Sequence, residues 1–242
     1  MKALLVHDGS LRPGTVPEPA LPVGGALLRT VGCGLCGSDL EKLVQRKVPD
    51  GTVLGHEVVG RVEALHAAYE GPLQLGDRVV AAHHVPCFEC HYCANGSPSM
   101  CRHFKATNLA PGGFAERVAL TAEHLAHTAF AIPSHIHDRE AACTEPLACV
   151  IRAVERLPEQ PHRPTAAVLG MGFIGMLAGQ ALQLKGYRVL GGDLRADRLF
   201  LAEMAGYADA VWQVPAPGGE ALPEAFLRDE CPVGRVDVAC LM

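Results

Sequence analysis

The amino-acid sequence predicts an α/β protein with a β-rich N-terminal half and a C-terminal half built on a parallel sheet. In the first 135 residues, short apolar or alternating runs of strand length follow one another between glycine and proline turns. From Thr165 onward, apolar β-branched runs alternate with segments of helical length, the pattern of strands and crossover helices. Such strands are apolar on both faces, so the second half is expected to be a doubly wound sheet covered by helices.

Five strands are predicted in the N-terminal half, with turns between them. The strands are Lys2–His7, Ala26–Gly32, Val58–Leu65, Arg78–Ala82 and Ala115–Leu120. The turn segments are Arg12-Pro13-Gly14, Gly24-Gly25 and Pro111-Gly112-Gly113. This spacing predicts one β-domain over residues 1–135.

The pattern changes near Pro133. Asp138 is predicted to cap a helix that continues to about Arg156. A stiff proline linker follows, with Pro158, Pro161 and Pro164. The later strands are Ala166–Leu169, Arg188–Asp193, Ala210–Gln213 and Val236–Leu241, and the helices are Phe173–Lys185, Ala196–Ala205 and Glu220–Arg228. Gly186 and Gly206 fall where helix C-caps belong. We predict a connecting segment over 136–164 and a parallel-sheet domain over 165–242.

Composition and charge exclude several functional classes. The formal net charge is −5 and no basic face is concentrated in the sequence, so neither nucleic acid nor an anionic membrane is an expected partner. The apolar run Met1–Val6 is too short for a signal peptide, and no stretch of about 18 apolar residues predicts a transmembrane helix. A cytoplasmic location is expected. In that reducing compartment, clusters among the 10 cysteines indicate metal ligands rather than disulfides.

Four cysteines form the strongest motif, Cys87-x2-Cys90-x2-Cys93-x7-Cys101. Four thiolates at this spacing satisfy tetrahedral zinc with no open position, so a structural zinc site is predicted. An iron–sulfur cluster and buried or oxidised cysteines are the alternatives. A nucleic-acid-binding zinc module is disfavoured, because the lobe carries only Arg102 and Lys105 as full positive charges. Nearby histidines are surplus to this site and are predicted at the surface: His83, His84, His91 and His103.

A second metal site is predicted from three short motifs. Cys36-Gly37-Ser38-Asp39, Gly55-His56-Glu57 and Glu145-Pro146 together offer one thiolate, one imidazole and up to two carboxylates from separate loops. A catalytic zinc takes three protein ligands and keeps one position for water or substrate. Asp39 is predicted to orient the His56 imidazole through its second ring nitrogen.

The remaining cysteines have simpler interpretations. Cys33-x-x-Cys36 also has the spacing of a thiol redox pair, but it does not open a helix after a βαβ strand, so the metal interpretation is favoured. Four scattered cysteines are predicted to be small buried hydrophobes: Cys143, Cys149, Cys231 and Cys240.

A dinucleotide-binding signature follows the first strand of the second half. Gly170-Met171-Gly172-Phe173-Ile174-Gly175 matches GxGxxG between a strand and a helix, where the glycines permit a tight turn, close approach of a pyrophosphate and close packing. Asp193 ends the next strand, where a carboxylate binds ribose hydroxyls and repels a 2′-phosphate, so NAD is favoured over NADP. Arg195 and Arg198 leave NADP open, since either can pair with that phosphate.

These motifs together resemble the medium-chain dehydrogenase/reductase family, in its zinc-containing alcohol, sorbitol and threonine dehydrogenase branch. The resemblance extends over the whole chain and rests on Gly34–Asp39, Gly55–Glu57, the Cys87–Cys101 lobe, Glu145–Leu147 and the glycine signature. It implies a GroES-like N-terminal β-domain and a Rossmann C-terminal domain, with the active site in the cleft between them. It also implies a homodimer or homotetramer.

The resemblance assigns roles to individual positions. Cys36, His56 and Glu145 match the catalytic zinc ligands, Glu57 the residue beside the metal, and Ser38 the first hydroxyl of a proton relay. Glu145 stands where the classical alcohol dehydrogenases have cysteine, which favours the polyol and threonine branch. The implied reaction passes hydride from a secondary alcohol or polyol to NAD. Two zinc ions per chain are implied, one catalytic and one structural.

The C-terminal end departs from the family pattern. Val236–Leu241 matches the fourth Rossmann strand, so the Rossmann domain is expected to be incomplete. The chain is therefore expected to be truncated, with weak or absent turnover. A non-catalytic zinc- and nucleotide-binding protein is the alternative to a dehydrogenase, and no motif identifies the alcohol.

Overall fold

The computed structural model describes residues 1–157, 164–215 and 236–242. The chain forms two compact units, Met1–Glu145 and Pro146–Met242. The boundaries expected from the sequence, after residues 135 and 164, remain predictions. Some sequence predictions lie outside the described residues, namely the helix Glu220–Arg228, Cys231, Pro158 and Pro161.

A five-stranded antiparallel sheet forms the body of the first unit, all of whose residues are described. The strands are β1 Lys2–His7, β2 Ser10–Thr15, β3 Ala26–Gly34, β4 Glu57–Leu65, β5 Arg78–Ala81, β6 Arg117–Leu120 and β7 Ala129–Ala131. β1 and β2 form a separate hairpin, and the others pair in the order β6-β3-β4-β5-β7. Leu28, Val62 and Val118 lie in the core of this sheet and are at most 3% exposed. The predicted β-rich half is confirmed.

The Arg12-Pro13-Gly14 segment is part of a strand, so its prediction as a turn is wrong. Pro13 pairs with Leu4 in the β1–β2 hairpin, and Asp8 and Gly9 form the turn. Both turn residues have positive φ, 48° and 72°, as a two-residue type I′ turn requires. Pro13 is tolerated because β2 is an edge strand, where its missing N–H removes no sheet hydrogen bond.

The helices of the first unit are short. They are α1 Gly37–Val44, α2 His91–Ala94, α3 Arg102–Ala106, α4 Ala122–His127 and α5 Asp138–Ala141, with a 3₁₀ turn at Pro98–Met100. A further helix, α6 Thr144–Val154, crosses into the second unit. In the described part of the chain, no helix has both the length and the apolar character needed to span a bilayer.

The single helix predicted to start at a capping Asp138 is wrong in two respects. His137 is the N-cap of α5, and the Asp138 carboxylate instead pairs with Arg78 at 2.7 Å. The helical segment also breaks between α5 and α6. Pro146 has no backbone N–H for a continuous helix at this point, which accounts for the break.

A parallel sheet organises the described part of the second unit. The strands are β8 Thr165–Leu169, β9 Arg188–Asp193, β10 Ala210–Gln213 and β11 Val238–Leu241, in the order β10-β9-β8-β11. The helices are α6, α7 Phe173–Leu184 and α8 Ala196–Met204. Val154, Ala178 and Leu199 bring the three helices into one core with β8 and β9. Gly186 and Gly206 follow the C-caps of α7 and α8 with φ of 89° and 71°. The predicted parallel sheet is confirmed, in the order of the first half of a Rossmann sheet.

His124 is a buried histidine whose hydrogen bonds fix its neutral form. The residue is 1% exposed, and its Nδ1 accepts the backbone N–H of Thr121 at 3.3 Å. Its Nε2 lies 3.2 Å from the carbonyl oxygen of His83. Because a carbonyl only accepts, Nε2 carries the proton and Nδ1 is the acceptor. Burial lowers the pKa of His124, although the His83 carbonyl acts in the opposite direction.

We expect the free energy of unfolding to fall as the pH is lowered from the unfolded histidine pKa, about 6.5, towards the lower folded pKa of His124. In this interval the unfolded chain binds a proton that the folded chain excludes, so stability increases with pH. His124→Gln is expected to flatten the slope by at most about 1.4 kcal/mol per pH unit. Urea unfolding of both proteins between about pH 5 and about pH 7.5 measures this difference. Equal slopes would contradict the expectation, and metal loss at low pH cancels between the two proteins because their metal ligands are the same.

Candidate functional site

The turn between β3 and α1 presents Cys36. β3 ends at Gly34, and Cys36 is the N-cap of α1 with extended backbone dihedrals, φ −80° and ψ 150°. The backbone N–H of Cys36 donates to Oδ2 of Asp39 at 3.3 Å. This bond ties the first turn of α1 to the residue that precedes it, which fixes the position of the thiol.

His56 and Glu57 reach the same place through the pairing of β3 with β4. Gly34 is the register partner of Glu57 across the two antiparallel strands. A Cβ at position 34 would overlap the Glu57 carboxylate, so the buried carboxylate occupies space that only glycine leaves. The Gly34–Asp39 and Gly55–Glu57 motifs thus lie side by side at the same end of the β3–β4 pair, where β3 ends and β4 begins.

Cys36, His56 and Glu57 form a three-residue cluster. One ligand atom from each, a sulfur, a nitrogen and an oxygen, lies within 4.8 Å of the other two. His56 and Glu57 are buried, and Cys36 is partly buried. Three converging ligands of these types suit zinc with one coordination position left open. The donor set therefore fits the predicted catalytic metal.

Asp39 supports the imidazole of His56 from behind the cluster. It is 0% exposed, and its Oδ1 lies 3.5 Å from Nδ1 of His56. No hydrogen bond satisfies this buried oxygen, so the contact is an ion pair rather than an aligned hydrogen bond. The Asp39 carboxylate raises the pKa of His56 to about 9 against the effect of burial. Burial alone would raise the pKa of Asp39, but interaction with His56 lowers it. This arrangement directs Nδ1 to Asp39, so that a metal would displace the proton from Nε2 and bind there.

Glu145 lies outside the cluster of three. It is in the first turn of α6, and its charge raises the pKa of His56 and of Glu57. Burial is the larger cause of the raised pKa of Glu57. The ligand set expected from the resemblance, with Glu145 as a ligand and Glu57 beside the metal, remains a prediction. Ser38 is exposed in the first turn of α1, where its hydroxyl can exchange protons with water.

The predicted surface location of His83 is wrong, because this partly buried residue lies beside the cluster. Its ring centroid lies 4.7 Å from that of His56, and burial lowers its pKa to about 3, so the ring is neutral. His84 is also partly buried, whereas His91 is exposed and His103 pairs with Glu123 at 2.8 Å. The signal for the position of His83 lies in the pairing of β4 with β5. Val58 pairs with Ala81, so extending this antiparallel register by two residues brings positions 56 and 83 opposite each other.

The other cysteines near the cluster do not form a redox pair with it. Burial raises the pKa of Cys33 to about 12, and its thiol donates to the Gly34 carbonyl at 3.4 Å. The thiolate that redox exchange requires is therefore disfavoured.

The prediction of buried hydrophobes is wrong for Cys149, which is exposed because it lies on a face of α6 outside the core. Cys143 and Cys240 are only partly buried.

The four cysteines of the lobe converge as their spacing predicts. Their sulfur atoms all lie within 4.8 Å of one another, with Cys101 and Cys87 at 3.5 Å and Cys90 and Cys93 at 3.6 Å. Backbone hydrogen bonds around Cys87 and Phe104 lower the pKa of Cys101 to about 6, which favours the metal-binding thiolate. This set fits a closed four-thiolate metal site.

The glycine signature occupies the turn from β8 into α7. A Cβ on Gly175 would overlap the carbonyl oxygen of Gly170, so the helix packs directly on the turn. Asp193 is 5% exposed at the end of β9, and its Oδ1 accepts the backbone N–H of Arg195 at 2.9 Å. Nη1 of Arg198 lies 3.5 Å from Oδ2 of Asp193 and 3.6 Å from the Cβ position of Gly172. The Arg198 guanidinium therefore lies between the acidic residue and the glycine turn, while Phe173 and Ile174 are exposed at the helix start.

Gly175→Ala and Gly172→Ala are expected to act differently. The Gly175 substitution forces α7 away from the turn, so we expect about 1–3 kcal/mol of destabilisation together with loss of nucleotide binding. The Gly172 substitution meets only the end of a flexible arginine and is expected to weaken nucleotide binding with little effect on stability. Urea unfolding and calorimetric NAD titration separate the two effects. Equal stability losses in both variants would contradict this description of the turn.

Comparison with known proteins agrees with the fold and the clusters. Residues 23–133 match the alcohol dehydrogenase GroES-like domain. The chain is 36% identical over 225 residues to a D-altritol 5-dehydrogenase of Agrobacterium fabrum, across 90% of the chain and 63% of that relative. It is 32% identical over 244 residues to an L-threonine 3-dehydrogenase of Anaeromyxobacter sp. strain K, across 97% of the chain and 69% of that relative. The solved alcohol dehydrogenase of Thermus sp. ATN1 is 27% identical with a TM-score of 0.75, across 96% of the chain and 67% of that structure.

Fold, clusters and relatives together define a zinc-type alcohol dehydrogenase architecture. The chain belongs to the medium-chain dehydrogenase/reductase family, in the branch of the alcohol, sorbitol and threonine dehydrogenases. It spans 63% of the length of the D-altritol 5-dehydrogenase that it matches.

Proposed function

We propose that this protein is a zinc-dependent oxidoreductase that transfers hydride from a secondary alcohol or polyol to NAD. The observation that carries the proposal is the convergence of Cys36, His56 and Glu57 within 4.8 Å, with Asp39 behind the imidazole. A thiolate, an imidazole and a carboxylate with one open position suit a metal that acts on a substrate oxygen. The relatives named as D-altritol and L-threonine dehydrogenases oxidise hydroxyl groups, which supports the same class of substrate.

The chain's own residues supply positioning and proton transfer. Bound zinc would lower the pKa of a substrate hydroxyl and bound NAD would accept the hydride, two chemistries that side chains lack. Asp39 holds His56 in one orientation, and Cys36 is fixed by the first turn of α1. The Ser38 hydroxyl would pass the released proton to water, a role that its exposure supports. Glu57 and Glu145 supply the negative charge that a divalent cation balances.

The four-thiolate lobe supports a second, structural zinc in this proposal. All four coordination positions are filled by protein sulfur, so this ion would take no part in catalysis. Its function would be to hold residues 87–101 in a segment with little apolar core.

Asp193→Ala is expected to shift cofactor preference towards NADP. In this proposal the buried carboxylate at the end of β9 accepts hydrogen bonds from the ribose hydroxyls, and its charge repels a 2′-phosphate. Without it, Arg198 is left as an unopposed cation, so the ratio of NAD to NADP affinity is expected to fall about tenfold or more. Calorimetric titration with each cofactor measures the ratio. Glu203→Gln is the control, since Glu203 is an exposed carboxylate on α8; an equal shift in both variants would contradict the assignment.

The dehydrogenase proposal is tested by alcohol-dependent NAD reduction. The purified 242-residue chain, loaded with zinc, is assayed at 340 nm against polyols, L-threonine and simple secondary alcohols. NADH formation that disappears in Cys36→Ala supports the proposal. Zinc and NAD binding without turnover on any alcohol would instead support a binding protein.

A further inference from the structure

Four aromatic rings connect the proposed catalytic centre with the cysteine lobe. The ring centroids of His56 and His83 are 4.7 Å apart, those of His83 and His84 are 3.9 Å apart, and those of His84 and Phe104 are 4.7 Å apart. Neighbouring rings are tilted by 42° to 48°. Phe104 belongs to α3, whose N-cap is Cys101. We call these four rings the ring ladder. It starts at His56, a candidate ligand of the catalytic metal, and ends on α3, whose N-cap Cys101 is a candidate ligand of the metal in the cysteine lobe.

The backbone around the ladder is fixed by hydrogen bonds from both sides. His84 contacts the carbonyl oxygen of Thr107, the C-cap of α3, through its Nδ1. Thr107 Oγ1 accepts the backbone N–H of Val85 at 2.8 Å. The backbone carbonyl of His83 lies 3.2 Å from Nε2 of the buried His124. The end of α3 and the segment after β5 are thus joined.

The side chain of His83 is held differently. Its Nδ1 is buried and has no hydrogen-bond partner among the described residues. A buried polar atom without a partner costs about 1–3 kcal/mol, so its retention indicates that the ring serves something other than local stability. The His83 ring packs against the rings of His56 and His84.

We propose that His83 and His84 are positioning residues that couple metal binding in the cysteine lobe to the orientation of the His56 imidazole. The inference rests on the proposed metal centre at Cys36, His56 and Glu57. Asp39 constrains one nitrogen of the His56 ring, and contact with His83 supplies a second constraint. Coupling of this kind is reciprocal, so metal in either centre strengthens binding in the other.

Cobalt(II) titration of the metal-free 242-residue chain tests the proposal, because a four-thiolate site and a mixed-ligand site have different absorption spectra. His83→Ala is expected to weaken cobalt binding at the mixed-ligand centre about 10-fold and to alter its d–d bands, the size of effect that outer-shell partners show. His83→Phe keeps a ring in place and is expected to restore the affinity to within about 3-fold of wild type.

Phe104→Ala tests the far end of the ladder while leaving all four thiolates intact. It is expected to weaken cobalt binding at the Cys36, His56 and Glu57 centre when it is the only substitution. In a chain that already carries His84→Ala it is expected to have no further effect, because the two residues would act through the same chain of contacts. His91→Ala is the control, because the side chain of this exposed histidine contacts Asn95 and meets the Tyr92 ring edge-on within the lobe. Circular dichroism and thermal melting verify that each variant is folded.

The outcomes separate the two proposals. If wild type binds two cobalt ions and folded His83→Ala binds both as tightly, the ring ladder is overturned and the metal centre stands. If wild type binds cobalt only in the lobe, the metal centre is overturned and the ladder with it. Loss of affinity in His83→Ala that His83→Phe does not restore would also overturn the ladder, since a nitrogen rather than ring packing would then be responsible.

Discussion

Cys36→Ala is expected to reduce bound zinc from two ions per chain to one and to bring alcohol oxidation down to the background rate. The thiolate is one of the three ligands that cluster among the described residues. A metal that polarises a substrate oxygen lowers the activation barrier by several kcal/mol, and each factor of ten in rate corresponds to about 1.4 kcal/mol. Metal analysis after gel filtration and a dehydrogenase assay measure the two effects. The remaining zinc should be the one in the lobe.

Cys149→Ala is the matched control for this prediction. It removes an exposed thiol on α6 and should leave both the zinc content and the rate unchanged. Two zinc ions retained by Cys36→Ala would show that the thiol is not a ligand. Loss of both ions would show that the variant is unfolded, which the far-ultraviolet spectrum would reveal independently.

Cys101→Ser is expected to have the largest effect on stability. Cys101 is 0% exposed, caps α3 and lies 3.5 Å from the sulfur of Cys87. Since metal binding at such a site is coupled to folding of the surrounding loop, loss of one ligand is expected to cost about 3 kcal/mol or more. Thermal melting with and without a chelator measures the effect: the chelator should lower the melting temperature of wild type strongly and that of Cys101→Ser much less.

Cys143→Ser provides the comparison for the lobe. This cysteine belongs to neither cluster, so its variant should remain as sensitive to the chelator as wild type. Chelator sensitivity that is unchanged in Cys101→Ser would contradict a metal in the lobe. It would favour four packed thiols, the alternative that the spacing alone left open.

Patterns with a local physical cause could be predicted from the sequence. β1, β9 and β10 have the predicted bounds because apolar runs there end at polar or turn residues. The four-cysteine motif needed only a short loop, and the glycine signature needed only a strand followed by a helix. Both motifs carry their geometry within a few residues, and the structure forms both.

Features that depend on pairing between distant segments were missed or misplaced. Pro13 predicts a turn because nothing in its sequence neighbourhood shows that β2 is an edge strand. His83 was placed at the surface because its burial follows from the register of β4 with β5, not from its own surroundings. The approach of Arg198 to both Asp193 and Gly172 likewise depends on how α8 lies against the glycine turn.

Anomalous diffraction at the zinc absorption edge tests the central proposal most directly, using crystals of the zinc-loaded chain. We expect two peaks, one among the sulfur atoms of Cys87, Cys90, Cys93 and Cys101 and one between Cys36, His56 and Glu57. The second peak should be absent in crystals of Cys36→Ala. A single peak in the lobe of the wild-type crystals, with Cys36 and His56 turned away from each other, would contradict the proposed catalytic centre.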